Sequence, residues 1–167
     1  MTASADDRRR KLVEWQDPLV GARAARSLSG LAYLEAMKSG ALPPPPITQL
    51  VGFSLESAEL DRVVFAFAPG EEHYNPIGSV HGGIVSVLLD SAMGCAVQTR
   101  LPAGQGYTTL EFKVNFVRPV TATTGRMTAE GRVVHFGSKT ATAEGFLRDA
   151  DGRLYAHGTT TCLQLGP

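Results

Sequence analysis

One segment constrains the fold of this 167-residue chain more than any other. Residues 82–99 are apolar at nearly every position and lack the polar face of a surface helix. A helix that is apolar all round must be buried on nearly every side. Its most apolar stretch, residues 83–97, is about 15 residues long, shorter than the ~20 that a membrane span needs, and it contains Asp90. We therefore predict a core helix enclosed by the rest of the chain.

The remaining sequence supplies strands that can enclose such a helix. Residues 107–117 alternate cleanly, with Leu110, Phe112, Val114 and Phe116 on one face, as a half-buried antiparallel strand requires. Similar patterns of β-branched and aromatic residues predict further strands at 48–57, 61–68, 126–134, 140–148 and 154–163. Two strands, one enclosed helix and four more strands predict an α+β fold, with an antiparallel sheet curled around the helix.

The N-terminal region has a different pattern. Apolar residues recur at steps of three and four over residues 8–40, which predicts one or two amphipathic helices. Gly40 suits a helix C-terminus, and the four prolines at 43–46 end the helical region and form a stiff spacer. We expect residues 1–46 to be a helical extension and residues 47–167 to be the main domain.

Composition excludes several classes of protein. The chain has 16 Lys and Arg against 16 Asp and Glu, so it lacks the basic surface of a nucleic-acid-binding protein. Cys95 and Cys162 lie far apart without a CxxC motif, which argues against a disulfide scaffold or structural zinc. Charged residues stand near the start, where a secretory signal needs an apolar segment. We expect a cytoplasmic protein with no nucleic-acid, membrane or metal partner.

Asp90 is the residue in the core helix that stability alone would not select. An unpaired carboxylate among Leu88, Leu89, Ala92 and Met93 is costly, so its pKa must rise or it must have a partner. Helical spacing puts it on one stripe of small or polar side chains, which predicts room for a ligand: Gly83, Ser86, Asp90, Gly94 and Gln98.

The start of the same helix predicts a second functional group. His81, Gly82 and Gly83 lie where backbone N–H groups are free and the helix dipole is positive, so a carbonyl oxygen there would be polarised. Asp90 follows Gly83 by seven residues, or two turns of one face. One helix is therefore predicted to serve both a carbonyl group and an attacking water, as acyl transfer to water requires.

Each of these residues also has a purely structural interpretation. Asp90 can be the ion-pair partner of Arg118 or another cation, although a buried pair is weak evidence for stability. His81 can be a hydrogen-bonded structural residue, and the glycines a packing device. Asn75 before Pro76 is typical of a turn, and Cys95 is typical of a small core residue.

Two motifs together resemble the signature of the PaaI-type hotdog-fold acyl-CoA thioesterases. The first is Asn75-Pro76-Ile77-Gly78-Ser79-Val80-His81-Gly82-Gly83, and the second is Asp90-Ser91-Ala92-Met93-Gly94, six residues later. Residues 108–119 and 134–139 are similar to the central strand and the following hairpin of that family. The resemblance covers about residues 47–165 and leaves the N-terminal extension outside.

The resemblance implies a role for each matching residue. Asp90 would be the general base or the nucleophile, the Gly83 N–H would polarise the thioester carbonyl, and His81 and Asn75 would orient the carbonyl and the water. The hydroxyl residue supplied by a paired subunit would be Thr109 or Thr108. Further substrate contacts would come from Gly82, and from Gly137 and Lys139 at the nucleotide end of CoA, where Lys139 can meet a phosphate.

These implications lead to an expected function. The chain would hydrolyse an acyl-CoA to a free acid and CoA, without a metal or redox cofactor, as a homodimer or homotetramer with sites between subunits. A non-catalytic protein that binds acyl-CoA or an aromatic ligand is the alternative. A hotdog dehydratase or hydratase would need a different arrangement of His and carboxylate around the helix.

Overall fold

The computed structural model describes residues 7–166. Its four α-helices are α1 (Leu19–Ala24), α2 (Gly30–Lys38), α3 (Pro46–Val51) and α4 (Gly82–Gln98). Its six strands are β1 (Phe53–Glu59), β2 (Arg62–Phe67), β3 (Gly106–Phe116), β4 (Met127–Phe136), β5 (Thr140–Asp149) and β6 (Leu154–Leu165). Within residues 7–166, no helix is both long and apolar enough to cross a bilayer.

The strands form one antiparallel sheet in the order β1-β2-β4-β5-β6-β3. Helix α4 contacts all six strands, and one hydrophobic core lies between them. Leu88, Leu89 and Met93 of α4 are fully buried in this core. The prediction of an antiparallel sheet wrapped around a long central helix is confirmed, and the bounds of the helix agree within one residue.

Two glycines let the sheet approach α4 closely. Gly131 of β4 and Gly145 of β5 lie opposite each other in the ladder. A Cβ atom at position 131 would collide with the backbone of Ala92 and Met93, and one at position 145 would lie 2.9 Å from the Met93 side chain. Because interiors are close-packed, such an approach needs residues without side chains.

The structure differs from expectation around the prolines. Residues 46–51 form α3, whereas the sequence pattern predicted a strand from Thr48. Pro46 occupies the first turn of α3, where proline is favoured, and the Thr48 hydroxyl donates to the Pro45 carbonyl at 2.7 Å. These local interactions outweigh the β-branched pattern, so the first strand begins only at Phe53.

The N-terminal region contains two short helices, α1 and α2, and α2 packs into the main core. The helical pattern predicted from residue 8 is wrong over residues 8–18, which form no α-helix. Leu34 of α2 has no exposed surface. Gly30, at the start of α2, donates its N–H to the Leu101 carbonyl at 2.9 Å. A Cβ atom at Gly30 would collide with the backbone oxygen of Gln98. Helix α2 is therefore held tightly against the end of α4.

Strand β3 forms one edge of the sheet, and its apolar residues remain largely uncovered. Leu110, Phe112 and Phe116 are 56%, 41% and 57% exposed. The strand itself is confirmed, but the expected half-burial of this face is wrong for a single chain. An edge strand with unpaired backbone and exposed apolar residues is suited to pairing with another strand.

The approach of the sheet to α4 generates a stability prediction. Substituting Gly131→Ala should lower the free energy of unfolding by about 3 kcal/mol, because the new methyl group meets backbone that cannot turn aside. Denaturant unfolding followed by circular dichroism measures the change. Gly106→Ala is the matched control, since nothing lies within 4 Å of a Cβ atom there, and it should change stability by less than about 0.5 kcal/mol. Equal effects of the two substitutions would contradict the packing described here.

Candidate functional site

Asp90 is half-buried on α4 and has a specific polar partner. The Thr109 hydroxyl of β3 donates a hydrogen bond to Asp90 Oδ1 at 2.9 Å. Within residues 7–166, no Lys, Arg or His lies within 4.0 Å of its carboxylate oxygens. Arg118 instead donates to the Leu154 carbonyl, so the ion-pair interpretation of Asp90 with Arg118 is wrong. The carboxylate is held by a neutral donor and keeps its remaining acceptor positions.

A bulge in β3 explains how this strand reaches both ends of the site. The register with β6 shifts between Thr109 and Glu111. Strict alternation would put residues 109 and 116 on opposite faces, but a bulge reverses the phase. Thr109 therefore contacts Asp90. The Phe116 ring packs against Gly82, and a Cβ atom added at Gly82 would lie 3.1 Å from that ring. The resemblance implied that a paired subunit supplies the hydroxyl of Thr109 or Thr108 to Asp90. The structure differs, because Thr109 donates to Asp90 of its own chain, and Thr108 is exposed.

A cavity of about 330 Å³ opens beside Asp90. It lies between the two edge strands of the sheet, since Phe53 and Leu55 of β1 and Tyr107 of β3 contribute to its wall. Met37 and Ile47 of the N-terminal region complete it on another side. Sequence analysis missed Tyr107 and the N-terminal residues, because no local pattern indicates that residues so distant in sequence share one cavity.

The predicted stripe of small residues is only partly open. Gly94 is buried, and the Tyr107 hydroxyl occupies the space where its side chain would be. Burial raises the pKa of Cys95 to about 12 and raises the pKa of Tyr107 well above its usual value. The raised pKa keeps the Cys95 thiol protonated, and Cys95 lines the cavity beside Asp90, whereas Gly94 is closed off by Tyr107.

The start of α4 is capped by its own histidine. His81 Nδ1 accepts the Gly83 N–H at 2.8 Å, so the prediction that this N–H is free is wrong in this conformation. Among residues 7–166, the Gly82 N–H has no acceptor. Gly82 also lines a cavity of about 340 Å³ with Asn75 and Phe116. The free donor at the helix mouth is therefore that of Gly82.

Asn75 organises the loop before the helix. Its side-chain oxygen accepts the N–H groups of Ile77 and Ser79 at 3.1 and 3.2 Å, and its amide nitrogen donates to the Ser79 hydroxyl at 3.2 Å. Gly78 has φ +82°, a left-handed conformation that favours glycine. The turn expected at this asparagine is confirmed, and the loop carries Asn75 to the wall of the helix-mouth cavity.

The two halves of the predicted site are separate within one chain. No lining residue is shared between the cavity at Asp90 and the cavity at Gly82. Seven residues of α-helix span about 10.5 Å, farther than one thioester carbonyl and one attacking water bridge comfortably. Within one chain the two groups therefore belong to different cavities, and their joint action on a single substrate stays a prediction.

The remaining predicted residues lie outside these two cavities. Gly137 and Lys139 are in the turn between β4 and β5, where Gln164 binds the Gly137 carbonyl at 2.7 Å and the Lys139 carbonyl at 2.8 Å. Lys139 is exposed. Buried His73 is structural, bridging the Gly70 N–H and the Val51 carbonyl. Residues 7–166 contain no group of three or more His, Cys, Asp or Glu side chains placed to hold a metal ion.

Comparisons with known proteins agree with this arrangement. Residues 77–156 match the model of the thioesterase superfamily. A protein of Saccharolobus solfataricus described as a putative esterase is 36% identical over 98 residues, which cover 59% of this chain and 68% of that protein. The matched segment contains the loop at 77–81, all of α4 and β3, and most of the sheet.

Two solved structures illustrate the likeness in fold. A mutant of the phenylacetic acid degradation protein PaaI from Thermus thermophilus is 28% identical, with a TM-score of 0.64 over 71% of this chain and 97% of that one. A Streptococcus mutans protein, solved bound to acetyl-CoA, is 23% identical, with a TM-score of 0.62 over 68% of this chain and 89% of that one. The hotdog fold and the resemblance to PaaI-type proteins are confirmed, and the chain belongs to the thioesterase superfamily.

Proposed function

We propose that this protein hydrolyses an acyl-CoA thioester to a free carboxylic acid and CoA. The observation that carries the proposal is the Asp90 carboxylate, half-buried at the wall of a largely apolar cavity and held by the Thr109 hydroxyl. A carboxylate without a cationic partner can accept a proton from water or attack a carbonyl carbon. Membership of the thioesterase superfamily and the acetyl-CoA bound to the Streptococcus mutans protein support this choice of substrate.

The geometry of β3 supports a site completed by a second copy of the chain. Thr109, near one end of β3, contacts Asp90, and Phe116, at the other end, contacts Gly82. Antiparallel pairing of this edge with its copy about a two-fold axis would bring the Thr109 end of one strand beside the Phe116 end of the other. Asp90 of one chain would then face the helix mouth of the second copy.

In such a dimer the helix mouth binds the thioester carbonyl. The Gly82 N–H is the available donor, and the Gly83 N–H joins it if the His81 ring turns away from its cap. The positive end of the α4 dipole adds to the polarisation. Asp90 then either deprotonates the attacking water or attacks first. Lys139 and the Gly137 backbone are the proposed contacts for the nucleotide end of CoA.

Removing the charge of Asp90 tests the catalytic role. Asp90→Asn should lower kcat by about 10²- to 10⁴-fold, because the amide neither accepts a proton from water nor attacks a carbonyl. Release of CoA thiol from a panel of acyl-CoAs measures the effect. Asp151→Asn, which makes the same change at an exposed turn, is the matched control and should leave kcat unchanged.

The same assay separates the proposal from its alternative. A protein that only binds acyl-CoA or an aromatic ligand would show slow thiol release that Asp90→Asn leaves unaltered. Hydration of enoyl-CoA, measured in parallel, would instead indicate a hydratase. Either result would contradict a thioesterase that depends on Asp90.

The hydrogen bond from Thr109 generates a second prediction. Thr109→Val should lower kcat by roughly 10- to 100-fold, since a hydrogen bond to a charged group contributes about 1.5–3 kcal/mol. Thr109→Ser should restore most of the activity, because it keeps the hydroxyl. The neighbouring substitution Thr108→Val is the control, and steady-state kinetics is the measurement. Equal losses at positions 108 and 109 would argue against a specific role for the bond to Asp90.

Complementation tests whether the site is built from two chains. Gly82→Pro removes the N–H and preserves the helix start, since proline suits the first helical position and the extended His81 tolerates a following proline. Gly82→Pro and Asp90→Asn chains should each be nearly inactive. Refolded together at equal amounts, they should recover about a quarter of the wild-type sites, because half of the dimers keep one intact site.

The control for this experiment is Gly82→Ala, which adds a similar Cβ near Phe116 but keeps the N–H. It should retain more activity than Gly82→Pro. If mixing the two inactive chains recovers no activity although size-exclusion chromatography shows dimers, the site lies within one chain and the two-copy arrangement is wrong.

A further inference from the structure

The cavity beside Asp90 has walls from two distant parts of the chain. Phe53, Leu55 and Phe65 belong to the sheet. The remainder includes Met37 of α2, Ile47 of α3, and Pro44 and Pro45 between the two helices. The family match begins only at residue 77, so both the N-terminal part of this wall and the part formed by β1 and β2 lie outside the matched region.

The N-terminal wall is fixed in place by its contacts with the core. Helix α2 is bound to the end of α4 through the Gly30 N–H, and Leu34 is fully buried. At the other end, Thr48 and Val51 of α3 are buried, and the Val51 carbonyl forms a hydrogen bond with His73 Nε2 at 2.8 Å. Prolines stiffen the chain between these anchors. A wall held this way limits the cavity and does not yield to a longer ligand.

The chemistry of the cavity indicates what it holds. Apolar side chains of α2, α3 and the sheet form much of its lining, and Asp90, Lys38 and several hydroxyl and amide groups form the rest. A volume of about 330 Å³ accommodates about ten non-hydrogen atoms at the ~30 Å³ that a water molecule occupies in the liquid. That number fits an acyl group of about eight carbons, straight or containing one aromatic ring.

We infer that the N-terminal segment from Met37 to Ile47 is the wall that limits the length of the acyl group to about eight carbons. This inference rests on the proposed thioesterase function. It assigns a specificity role to a part of the chain that lies outside the matched thioesterase region. Ile47 is the residue best suited to adjust the cavity, because its outer side is exposed and its substitution leaves the core intact.

Helix α3 offers a matched pair of positions for the test. Ile47 lines the cavity, whereas Leu50, on the same helix, is 59% exposed and does not line it. Ile47→Ala enlarges the cavity and Ile47→Trp reduces it. Leu50→Ala removes a similar apolar side chain from the same helix without touching the wall.

The experiment measures kcat/KM for straight-chain acyl-CoAs from two to sixteen carbons and for one aromatic acyl-CoA. Wild type should peak near eight carbons. Ile47→Ala should raise the ratio of kcat/KM for the twelve-carbon substrate to that for the eight-carbon substrate by about tenfold. One methylene in an apolar pocket changes discrimination by at least about that factor. Ile47→Trp should lower that ratio, and Leu50→Ala should leave it unchanged.

The outcomes distinguish failure of this inference from failure of the proposed function. If wild type is active and both Ile47 variants keep its chain-length profile, as Leu50→Ala does, the role of the wall is contradicted. The proposed thioesterase function then still stands. If wild type hydrolyses no acyl-CoA, the proposed function fails. Calorimetric binding of the free acids then tests the role of the wall separately. Ile47→Ala should shift the preferred chain length upward in binding as well, and the absence of that shift would contradict the inference.

Discussion

The structure depends on burying a helix with almost no polar face while leaving one carboxylate of that helix accessible. The sheet covers α4 by approaching it to backbone contact at Gly131 and by packing Gly145 against Met93. Six strands curl around the helix, but the edges β1 and β3 do not pair with each other. Asp90 faces the gap between those edges, where Leu55 and Tyr107 line its cavity. The candidate site therefore lies where the sheet leaves the helix uncovered.

The partner of Asp90 matters as much as its position. An arginine at this place would neutralise the carboxylate and block it as a base, whereas the Thr109 hydroxyl orients it with one hydrogen bond. A carboxylate has about four acceptor positions, so most remain for a water or a substrate. The bulge in β3 is what allows the strand to deliver this hydroxyl and also to pack Phe116 at the helix start. The bulge thus lets one strand contact both Asp90 and Gly82, which lie about two helical turns apart on α4.

Sequence patterns predicted those features that arise from local periodicity and failed where tertiary contacts decide. The length of α4, the strands β2 to β6 and the turn at Asn75 follow from spacing and from turn-forming residues, and all are observed. The predicted start of β1 was wrong, because proline in the first turn favours helix α3 more than the following β-branched residues favour a strand. The prediction of a free Gly83 N–H was wrong, because the His81 side chain caps it and residue spacing does not reveal such a cap. The N-terminal wall of the cavity had no signal, since it depends on contacts between α2 and the end of α4.

The exposed edge of β3 connects the fold to the proposed dimer. A strand with Leu110, Phe112 and Phe116 partly exposed is a liability for a single chain, because unpaired backbone and apolar side chains favour uncontrolled association. Two-fold antiparallel pairing would satisfy that edge and, because β3 contacts Asp90 at one end and Gly82 at the other, would bring a carboxylate to a helix mouth. On this proposal, the Asp90 carboxylate and the helix start at Gly82 are too far apart in one chain and meet only across the dimer. Association and activity therefore depend on the same strand, β3. A substitution that frees β3 from its copy at a position that lines neither cavity, such as Leu110, should then cost activity.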